Sequence, residues 1–519
     1  MDQTRTSLGQ IDHPIHALIA NATENWNNLL SRQSKTLSEA VAEYKRRYNR
    51  NPPKGFDDWF RYAQEKNVIL VDEYDQIHRD ILPFLSLSPK LLRERINEME
   101  INEFTHTFVV KDGKIEITGA KKDLGRASDQ AALMKDFVKY LPQVNITMSA
   151  HDGPSVLMDW KLRNKHESLA RQGKFIDDAE ADELDDDPAN FGFNLACPPE
   201  SRIRSYYNGL ELGTLPSGPS FIQDHLTAMD LCQNPEWQYM HGFTAWQGPR
   251  PRHLQPLFSF SKTSMHSDLL CVPLEQFDNT PSDDPPWEDK KFAKIIWRGS
   301  MTGVWFDRVS WWRTSQRTRL HFLSQAKTGS RYVRFVDNTS SKKGDQEVIR
   351  EEEVDLKTLN ERYLDAGYVG ELHQCTEDDG GCEAIPKQIE TVKGMDWESQ
   401  NDYKYIVDTD GNAWSGRFHR LMASNSLVLK STIFPEWYSD RIMPWVHYVP
   451  LKIDYTDLYD LMAFFSGDID GNGGHDDLAK QIAYNGKDWT EKHWRMEDME
   501  VYAFRLYLEW ARVTGEQNF

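Results

Sequence analysis

Residues 401–450 read NDYKYIVDTDGNAWSGRFHRLMASNSLVLKSTIFPEWYSDRIMPWVHYVP. The run Tyr405-Ile406-Val407 is apolar and strand-like, and Gly411-Asn412 turns the chain after it. Ser415 and Gly416 lead into a short helical pattern. In it Phe418, Leu421 and Met422 recur at i, i+3, i+4 as one buried stripe, and Arg417 stands off that stripe at the helix mouth. A second strand, Ser426-Leu427-Val428-Leu429-Lys430, follows. A strand–loop–helix–strand unit of this kind can hold a phosphate. The helix start offers unpaired N–H groups and partial positive charge, and Arg417 adds a planar, charge-assisted fork. The alternative is an ordinary surface arginine, because most helix starts in α/β folds bind nothing.

Outward from this unit, strands alternate with helices through 294–465, the pattern of a parallel α/β domain. KIIWRGSMTG (294–303) is a buried strand ending in Arg298-Gly299-Ser300, where the glycine lets a backbone approach a ligand. It lacks the spacing of a P-loop or a dinucleotide fingerprint. QRTRLHFLSQA is a helix carrying Arg317 and Arg319, RYVRFVD a strand, PWVHYVPL another, and DYTDLYDLMAFF a helix with Asp454 as its cap. DDLAKQIAYNG and EDMEVYAFRLYLEWARV are closing helices. Upstream, DNTPSDDPPWED (278–289) is the clearest break and reads as an interdomain linker.

In the first half, residues 1–98 are mostly helical and show no chemistry. FTHTFVVKDGKIEITG is a hairpin turning at Asp112-Gly113, and 130–142 is helical. VNITMSAHDGP then places Asp152 after a strand and before a Gly-Pro turn, where α/β proteins put reactive groups and where turn aspartates are also common. PLFSFSKTS (256–264) is an apolar strand that ends in polar side chains with Lys262 among them. The run 176–187 is an acidic, solvated loop.

With 519 residues the chain exceeds one core, and two domains plus an appendage are expected. Its net charge of −20, without a basic stripe, excludes a nucleic-acid partner and requires a local basic pocket for any anionic ligand. Cys375 with Cys382, and more loosely Cys197 with Cys232, are candidate disulfides, leaving Cys271 over; five reduced thiols are the alternative. Asn21, Asn145 and Asn338 head N-glycosylation tripeptides, of which Asn145 falls in a strand pattern. No stretch approaches a membrane span and MDQTRTSLGQ is no signal peptide, so either the protein is soluble or a membrane anchor is absent from this chain. Two metal-like patterns are weak. Asp468-Ile-Asp-Gly-Asn472 imitates a calcium loop, but its twelfth position is Ala479. Asp408-Thr409-Asp410 has the D-x-D spacing that can hold Mg²⁺ or Mn²⁺ against a diphosphate, yet a turn explains it equally.

Five ordered blocks carry a resemblance. They are His151-Asp152-Gly153-Pro154, Phe258 to Ser264, Trp297-Arg298-Gly299-Ser300, Ser415 to Leu421, and Pro444 to Pro450. Together they resemble glycosyltransferase family 90, the fungal capsule-associated and protein O-glucosyltransferase group, over roughly 140–515. Leu427 to Thr432 and Asp476 to Ala479 resemble its fungal branch. The resemblance implies an α/β, GT-B-like fold of two Rossmann-like domains with an N-terminal helical appendage. Residues 1–98 would be the helical stem, 99–285 the acceptor domain, 286–490 the UDP-sugar-binding domain, and 491–519 a helix packing back on the first domain. Asp152 matches the family's catalytic acid and becomes the general base. Its neighbours are His151 and Gly153, where the animal glucosyltransferases carry Arg and Tyr. Ser300, Arg317 and Arg417 match donor-binding positions, with Arg317 aligned rather than Arg319. Arg298, Gly299, Lys262, Ser415 and Gly416, from the same blocks, are counted with the donor site.

The expected activity is inverting transfer from a UDP-sugar to a mannose-containing glycan or glycoconjugate, first as β-1,2-xylosyl transfer from UDP-xylose. The alternatives are a UDP-glucose or UDP-galactose transferase acting on protein or polysaccharide, and a non-catalytic glycan-binding relative. No tightly bound cofactor is expected, and two arginines that match a diphosphate's charge make a divalent metal unnecessary. The family's setting implies the Golgi lumen of the secretory pathway, with a single-span anchor that this chain lacks.

Overall fold

In the computed structural model, which describes residues 6–10, 13–181, 183–184, 192–207, 221–246, 248–280, 283–337 and 347–515, the stretch at 401–450 lies at the middle of a five-stranded sheet. Strand Tyr403–Thr409 runs parallel between Phe292–Gly299 and Leu427–Ser431; Leu364–Tyr368 extends one edge and Val449–Pro450 the other. Tyr403–Thr409 and Leu427–Ser431 are buried along almost their whole length, and for that reason they read as continuous apolar runs rather than alternating ones. The chain enters this sheet at Phe292–Gly299, steps outward to Leu364–Tyr368, then returns to the other side at Tyr403–Thr409. That reversal opens a crevice at the carboxyl ends of Phe292–Gly299 and Tyr403–Thr409, where open α/β sheets bind ligands.

The alternation through 294–465 has one interruption. RYVRFVD, observed as Ser330–Asp337, does not join the parallel sheet. It pairs antiparallel with Val348–Asp355, which in turn pairs with Thr6–Gln10. One face of this small sheet buries Val333 and Phe335, and on the other Arg334 pairs with Glu351 at 3.1 Å, the mixed character of an antiparallel sheet open to water.

The sheet of the first half is mixed rather than purely parallel. Its order is Lys114–Thr118, Thr105–Lys111, Val144–Ser149, Phe258–Ser259, Leu269–Leu270; the first three are antiparallel and the last two run parallel to Val144–Ser149. Asp112 (φ 51°) and Gly113 (φ 72°) form the two-residue turn that their sequence requires. Of the run 256–264 only Phe258–Ser259 is strand, and of PWVHYVPL only Val449–Pro450, because Trp445 takes φ 68° and folds its N–H onto the Tyr448 carbonyl at 2.7 Å. The helix expected over 130–142 is Gly125–Met134 followed by the turn Val138–Tyr140. The helix expected to be capped by Asp454 begins at Leu458 after Asp457; Asp454 accepts instead from the Thr456 N–H at 3.0 Å.

Residues 13–98, read from the sequence as an appendage, contribute Ile15, Trp59, Phe60 and Phe84 to the core. The closing helix Met496–Thr514 is buried almost all round, between the helix Phe56–Glu65 and the strand Val144–Ser149. The Trp59 indole donates to the Val501 carbonyl at 3.0 Å and the Trp510 indole to the Asn145 carbonyl at 2.9 Å. On this helix Arg505 lies within 4.9 Å of the Tyr44, Phe56 and Trp59 ring centres and pairs with Glu509 at 3.2 Å. Burial opposes ionisation of Glu509, but Arg512, Arg505 and Arg50 hold its carboxyl down at about 2.

Cys197–Cys232 and Cys375–Cys382 are disulfides, and Cys271 is a buried free thiol. The Asn145 amide donates to Glu100 at 2.6 Å inside the strand, so this tripeptide is engaged by the fold. The tripeptide at Asn338 and parts of the runs 176–187 and 278–289 lie outside the described residues. Among the described residues no helix is long and apolar enough to cross a membrane.

The Lys262 ammonium is buried and bonded to Asp80 at 2.7 Å and to the Asp268 carbonyl at 2.9 Å. Asp80→Ala leaves that charge without its counter-ion and is expected to lower unfolding stability by about 3–5 kcal/mol. Urea denaturation checks this, and adding Lys262→Met should recover most of the loss.

Candidate active site

Two arginines bracket the carboxyl end of Phe292–Gly299. Arg317, near the start of helix Gln316–Gln325, donates from Nε to the Asp410 carbonyl at 2.8 Å and from Nη1 to Thr302 Oγ1 at 2.6 Å and the Ser300 carbonyl at 3.4 Å. Arg417 donates from Nη1 to the Arg298 carbonyl at 2.7 Å, and its Nη2 is buried without a partner. Among the described residues neither guanidinium forms an ion pair with a carboxylate. Burial, and then the charge of Arg417, pushes Arg317 down to about 10; burial also lowers Arg417, with Asp408 opposing. Two like charges held together away from water, with a donor to spare, form a site for an anion that accepts several hydrogen bonds.

Of the D-x-D carboxylates, Asp408 is fully engaged, whereas Asp410 uses only Oδ2 and its Oδ1 is buried without a partner. Asp408 is fully buried and accepts from Ser415 Oγ at 2.5 Å and from the Lys430 ammonium at 3.0 Å. Burial opposes its charge, but Lys430 and then Arg417 hold the carboxyl below its usual range. Lys430 also reaches Glu436 at 3.3 Å. Asp410 accepts from the Ile433 N–H at 3.0 Å and lies 3.1 Å from His241 Nε2. The helix after Arg417, Phe418–Met422, has five residues. Its first N–H groups turn back onto Ser415, so the anion-binding character rests on the guanidiniums and not on a helix dipole.

The loop after Val144–Ser149 presents Asp152. Its Oδ1 accepts from Arg126 Nη2 at 3.0 Å, its carbonyl accepts from Ser261 Oγ at 3.0 Å, and the side chain is 45% exposed. Arg126 also pairs with Glu275 at 2.9 Å. Burial raises Glu275, Arg126 opposes this, and Asp152 adds to it. Buried Asp268 secures the far side of the loop by accepting from the Ser155 N–H at 2.9 Å, the Val156 N–H at 2.8 Å and Ser259 Oγ at 2.7 Å.

Two connections tie Asp152 to the arginine pair. The residue after Glu275 is Gln276, whose amide donates to the Ser415 carbonyl at 3.0 Å and to Glu436 at 2.6 Å. The second runs through three consecutive residues. His241 meets Asp410, Gly242 donates to Gln316 Oε1 at 2.9 Å, and the Phe243 ring lies where a Cβ on Gly153 would approach to 2.9 Å. Gly242 is so close to the next loop that a Cβ there would meet the Gly303 carbonyl oxygen at 1.8 Å. Any side chain at 153 must displace Phe243, which accounts for a glycine between Asp152 and Pro154.

The sequence-predicted residues therefore separate. Arg317 and Arg417 face the crevice, and exposed Ser300 stands at its lip with Oγ 3.4 Å from Thr302 Oγ1. Exposed Gly416 lies beside Arg417, and a Cβ on it would meet open space. Ser415 is buried and spends its hydroxyl on Asp408. Arg298 turns its guanidinium to Asp365 at 2.6 Å and lends only its carbonyl to Arg417. Gly299 is fixed by the Trp297 indole, which a Cβ would meet within 2.4 Å. Lys262 is the buried partner of Asp80. Arg319 is spent on the Thr314, Met240 and Ile453 carbonyls. Sequence reasoning missed Arg126, Glu275, Gln316 and the 241–243 segment. None stands in a motif, and their role depends on contacts 26 to 149 residues apart in the chain.

A family model described as Glycosyl transferase family 90 matches residues 229–516, more than half of the chain. The match takes in both crevice arginines and leaves Asp152 outside. Protein O-glucosyltransferase 1 of Rattus norvegicus is 26% identical over 259 residues, 50% of this chain and 57% of that protein. The Homo sapiens protein of the same name is 25% identical over 261 residues, with the same 50% and 57% coverage. O-glucosyltransferase rumi homolog of Aedes aegypti is 35% identical over 119 residues, 22% of this chain and 28% of that protein. The chain thus spans somewhat over half the length of the first two relatives.

Inorganic diphosphate reports on the arginine pair alone. Arg317→Gln and Arg417→Gln are each expected to weaken its binding at least ~10-fold, since one hydrogen bond to a charged group is worth about 1.5–3 kcal/mol. Arg298→Gln should change it little. Isothermal titration of the three variants decides whether the crevice guanidiniums are the anion site.

Proposed function

The chain belongs to glycosyl transferase family 90, and from that premise we propose that it is an inverting transferase moving a sugar from a UDP-sugar to a hydroxyl of a glycan or glycoprotein. The observation that carries the reading is the pair Arg317 and Arg417 at the carboxyl ends of a parallel sheet, neither in a direct ion pair and Arg417 with a buried, unpartnered Nη2, two positive charges for a diphosphate. The proposed architecture is GT-B-like, with the donor on the sheet containing Tyr403–Thr409 and the acceptor on the side of Asp152.

In this reading Asp152 takes the acceptor hydroxyl proton. The freed oxygen attacks the anomeric carbon from the face opposite the diphosphate, the carbon–oxygen bond to the diphosphate breaks, and UDP departs with the bonding pair. Arg126 holds one carboxylate oxygen and leaves the other for the acceptor. Arg317, Arg417 and Ser300 take the charge that develops on the leaving group, in a crevice where such contacts are stronger than in water. In this reading Asp408 holds the loops in place rather than a cation, because Ser415 and Lys430 engage its two oxygens, and Asp410 has only Oδ1 to spare, too little to hold a metal by itself. The exposed Trp246 ring, whose indole donates to the Phe243 carbonyl at 2.9 Å, offers the acceptor a stacking face beside the crevice.

Two donor readings remain in contention. The fungal-branch resemblance favours UDP-xylose and β-1,2 transfer to mannose. The relatives' names favour UDP-glucose and a protein acceptor. The two disulfides support an oxidising compartment, and we place the protein in the secretory lumen, with the Golgi as the specific proposal.

UDP release should be measured on a panel of UDP-sugars, with EDTA, with Mn²⁺ and with Asp152→Asn. Turnover is expected to survive EDTA. In Asp152→Asn it should fall by about 10²–10⁴, the usual contribution of a general base, with UDP affinity changed only a few-fold. Activity lost in EDTA and restored by Mn²⁺ would return Asp408 and Asp410 to the role of metal ligands. Full activity in Asp152→Asn would remove that residue from the chemistry. The preferred sugar decides between the two donors, and UDP binding without turnover on any donor and acceptor supports the glycan-binding alternative.

A further inference from the structure

His16, Glu347 and His475 are, among the described residues, the one group of three or more His, Cys, Asp or Glu whose donor atoms converge within 4.8 Å of one another. They come from three distant places. His16 lies in the first turn of helix Pro14–Ser31, Glu347 immediately precedes strand Val348–Asp355, and His475 stands at the start of helix Asp476–His493. The Nε2 atoms of both histidines point at one carboxylate oxygen: His16 at 3.0 Å and His475 at 2.9 Å from Glu347 Oε1. The second oxygen, Oε2, is buried without a hydrogen-bond partner, and His475 Nε2 is buried without a well-aligned one. Phe464 walls the cluster, its ring centre 5.2 Å from that of His16 and 4.4 Å from that of His475.

A hydrogen-bonded triad accounts poorly for this arrangement. Two imidazoles crowd one oxygen while the other oxygen, in the same carboxylate and away from water, has nothing. A cation between them takes both imidazole nitrogens and the carboxylate without the crowding. In a tetrahedral site with arms of about 2.0–2.1 Å, donors lie roughly 3.3 Å apart, close to the observed separations. Two imidazoles and a carboxylate suit borderline divalent ions of the zinc type and not the hard, oxygen-seeking Mg²⁺ or Ca²⁺.

We propose that His16 Nε2, His475 Nε2 and the Glu347 carboxylate bind one zinc-class divalent cation, which staples the N-terminal helix to the edge of the small antiparallel sheet and to the helix Asp476–His493. The site shares no residue with the crevice and takes no part in transfer. Its effect is on stability, since binding to the folded chain alone raises stability by mass action.

The test uses the full chain, stripped with chelator, dialysed and titrated with ZnCl₂, with MgCl₂ and CaCl₂ in parallel. One equivalent of Zn²⁺ should bind, with a higher thermal midpoint and no comparable response to Mg²⁺ or Ca²⁺. His16→Ala, His475→Ala and Glu347→Gln should each weaken zinc binding at least ten-fold while diphosphate binding at the crevice is retained, which shows the variants are folded. Absence of stoichiometric binding, or uptake unchanged in the His16→Ala/His475→Ala double variant, overturns the proposal. So does an equal response to Mg²⁺.

Discussion

Two guanidinium groups placed side by side and largely withdrawn from water, neither in direct contact with a carboxylate, are an expensive arrangement for a protein to maintain. Arg317 and Arg417 are kept there by carbonyl oxygens, those of Asp410, Ser300 and Arg298, at the ends of parallel strands. The carbonyls satisfy the donors without cancelling the charge. The available carboxylates are diverted, Asp408 to Lys430 and Asp365 to Arg298. Much of the second half of the molecule serves this constraint. The buried strands set the carbonyls, the Lys430–Asp408 pair stabilises the strand ends, and Gln276 and Gln316 pin the loops on either side. An acidic chain of net charge −20 thus keeps one pocket positive by geometry rather than by composition.

The sequence was legible where local physics determines the outcome. The parallel sheet was visible because strands covered on both faces print unbroken apolar runs, as Tyr403–Thr409 and Leu427–Ser431 do. The Asp112-Gly113 hairpin followed from a turn that only such residues enter easily. Arg417 was visible as the residue off the buried stripe. What escaped was non-local. Nothing near Lys262 points to Asp80, 182 residues away, and without that partner Lys262 reads as a free cation near a ligand. Ser330–Asp337 has the apolar content of a parallel strand, and only its pairing with Val348–Asp355, itself completed by Thr6–Gln10, assigns it to another sheet. The D-x-D pattern fixes a spacing of two residues but not their burial. Burial, and the Lys430 ammonium 3.0 Å from Asp408, are what that spacing leaves out.

The first half contributes a carboxylate under different rules. Asp152 is partly exposed and shares Arg126 with Glu275, whereas Arg317 is buried, Arg417 is partly buried with an unpartnered Nη2, and neither makes a direct ion pair. The two environments suit opposite tasks. A base must meet an incoming hydroxyl and be reachable. A leaving-group clamp must hold its charge in place before the reaction, with little water to reorganise. The segment 241–243 and the pair Glu275–Gln276 span these environments, so the placement of Asp152 relative to the arginine pair depends on a few short contacts. Gly242 and Gly153 mark where those contacts are closest, since neither position admits a side chain without moving its neighbour.

This division also explains why the first hundred residues cannot be treated as a tether. Trp59 and Arg505 join the N-terminal helices to the last helix, and that helix in turn lies against the strand that carries Asp152 at its end. Asp80 neutralises the lysine of the adjoining strand end, and its other oxygen accepts from the Leu270 N–H at 2.9 Å, so the Asp152 loop rests on a sheet edge braced by a helix far upstream in sequence. The carboxylate can be exposed and still be placed because the groups beneath it are not free to move. Removing the N-terminal helices would therefore alter the setting of Asp152 before it altered the arginine crevice, whose own framework is drawn largely from residues after 240.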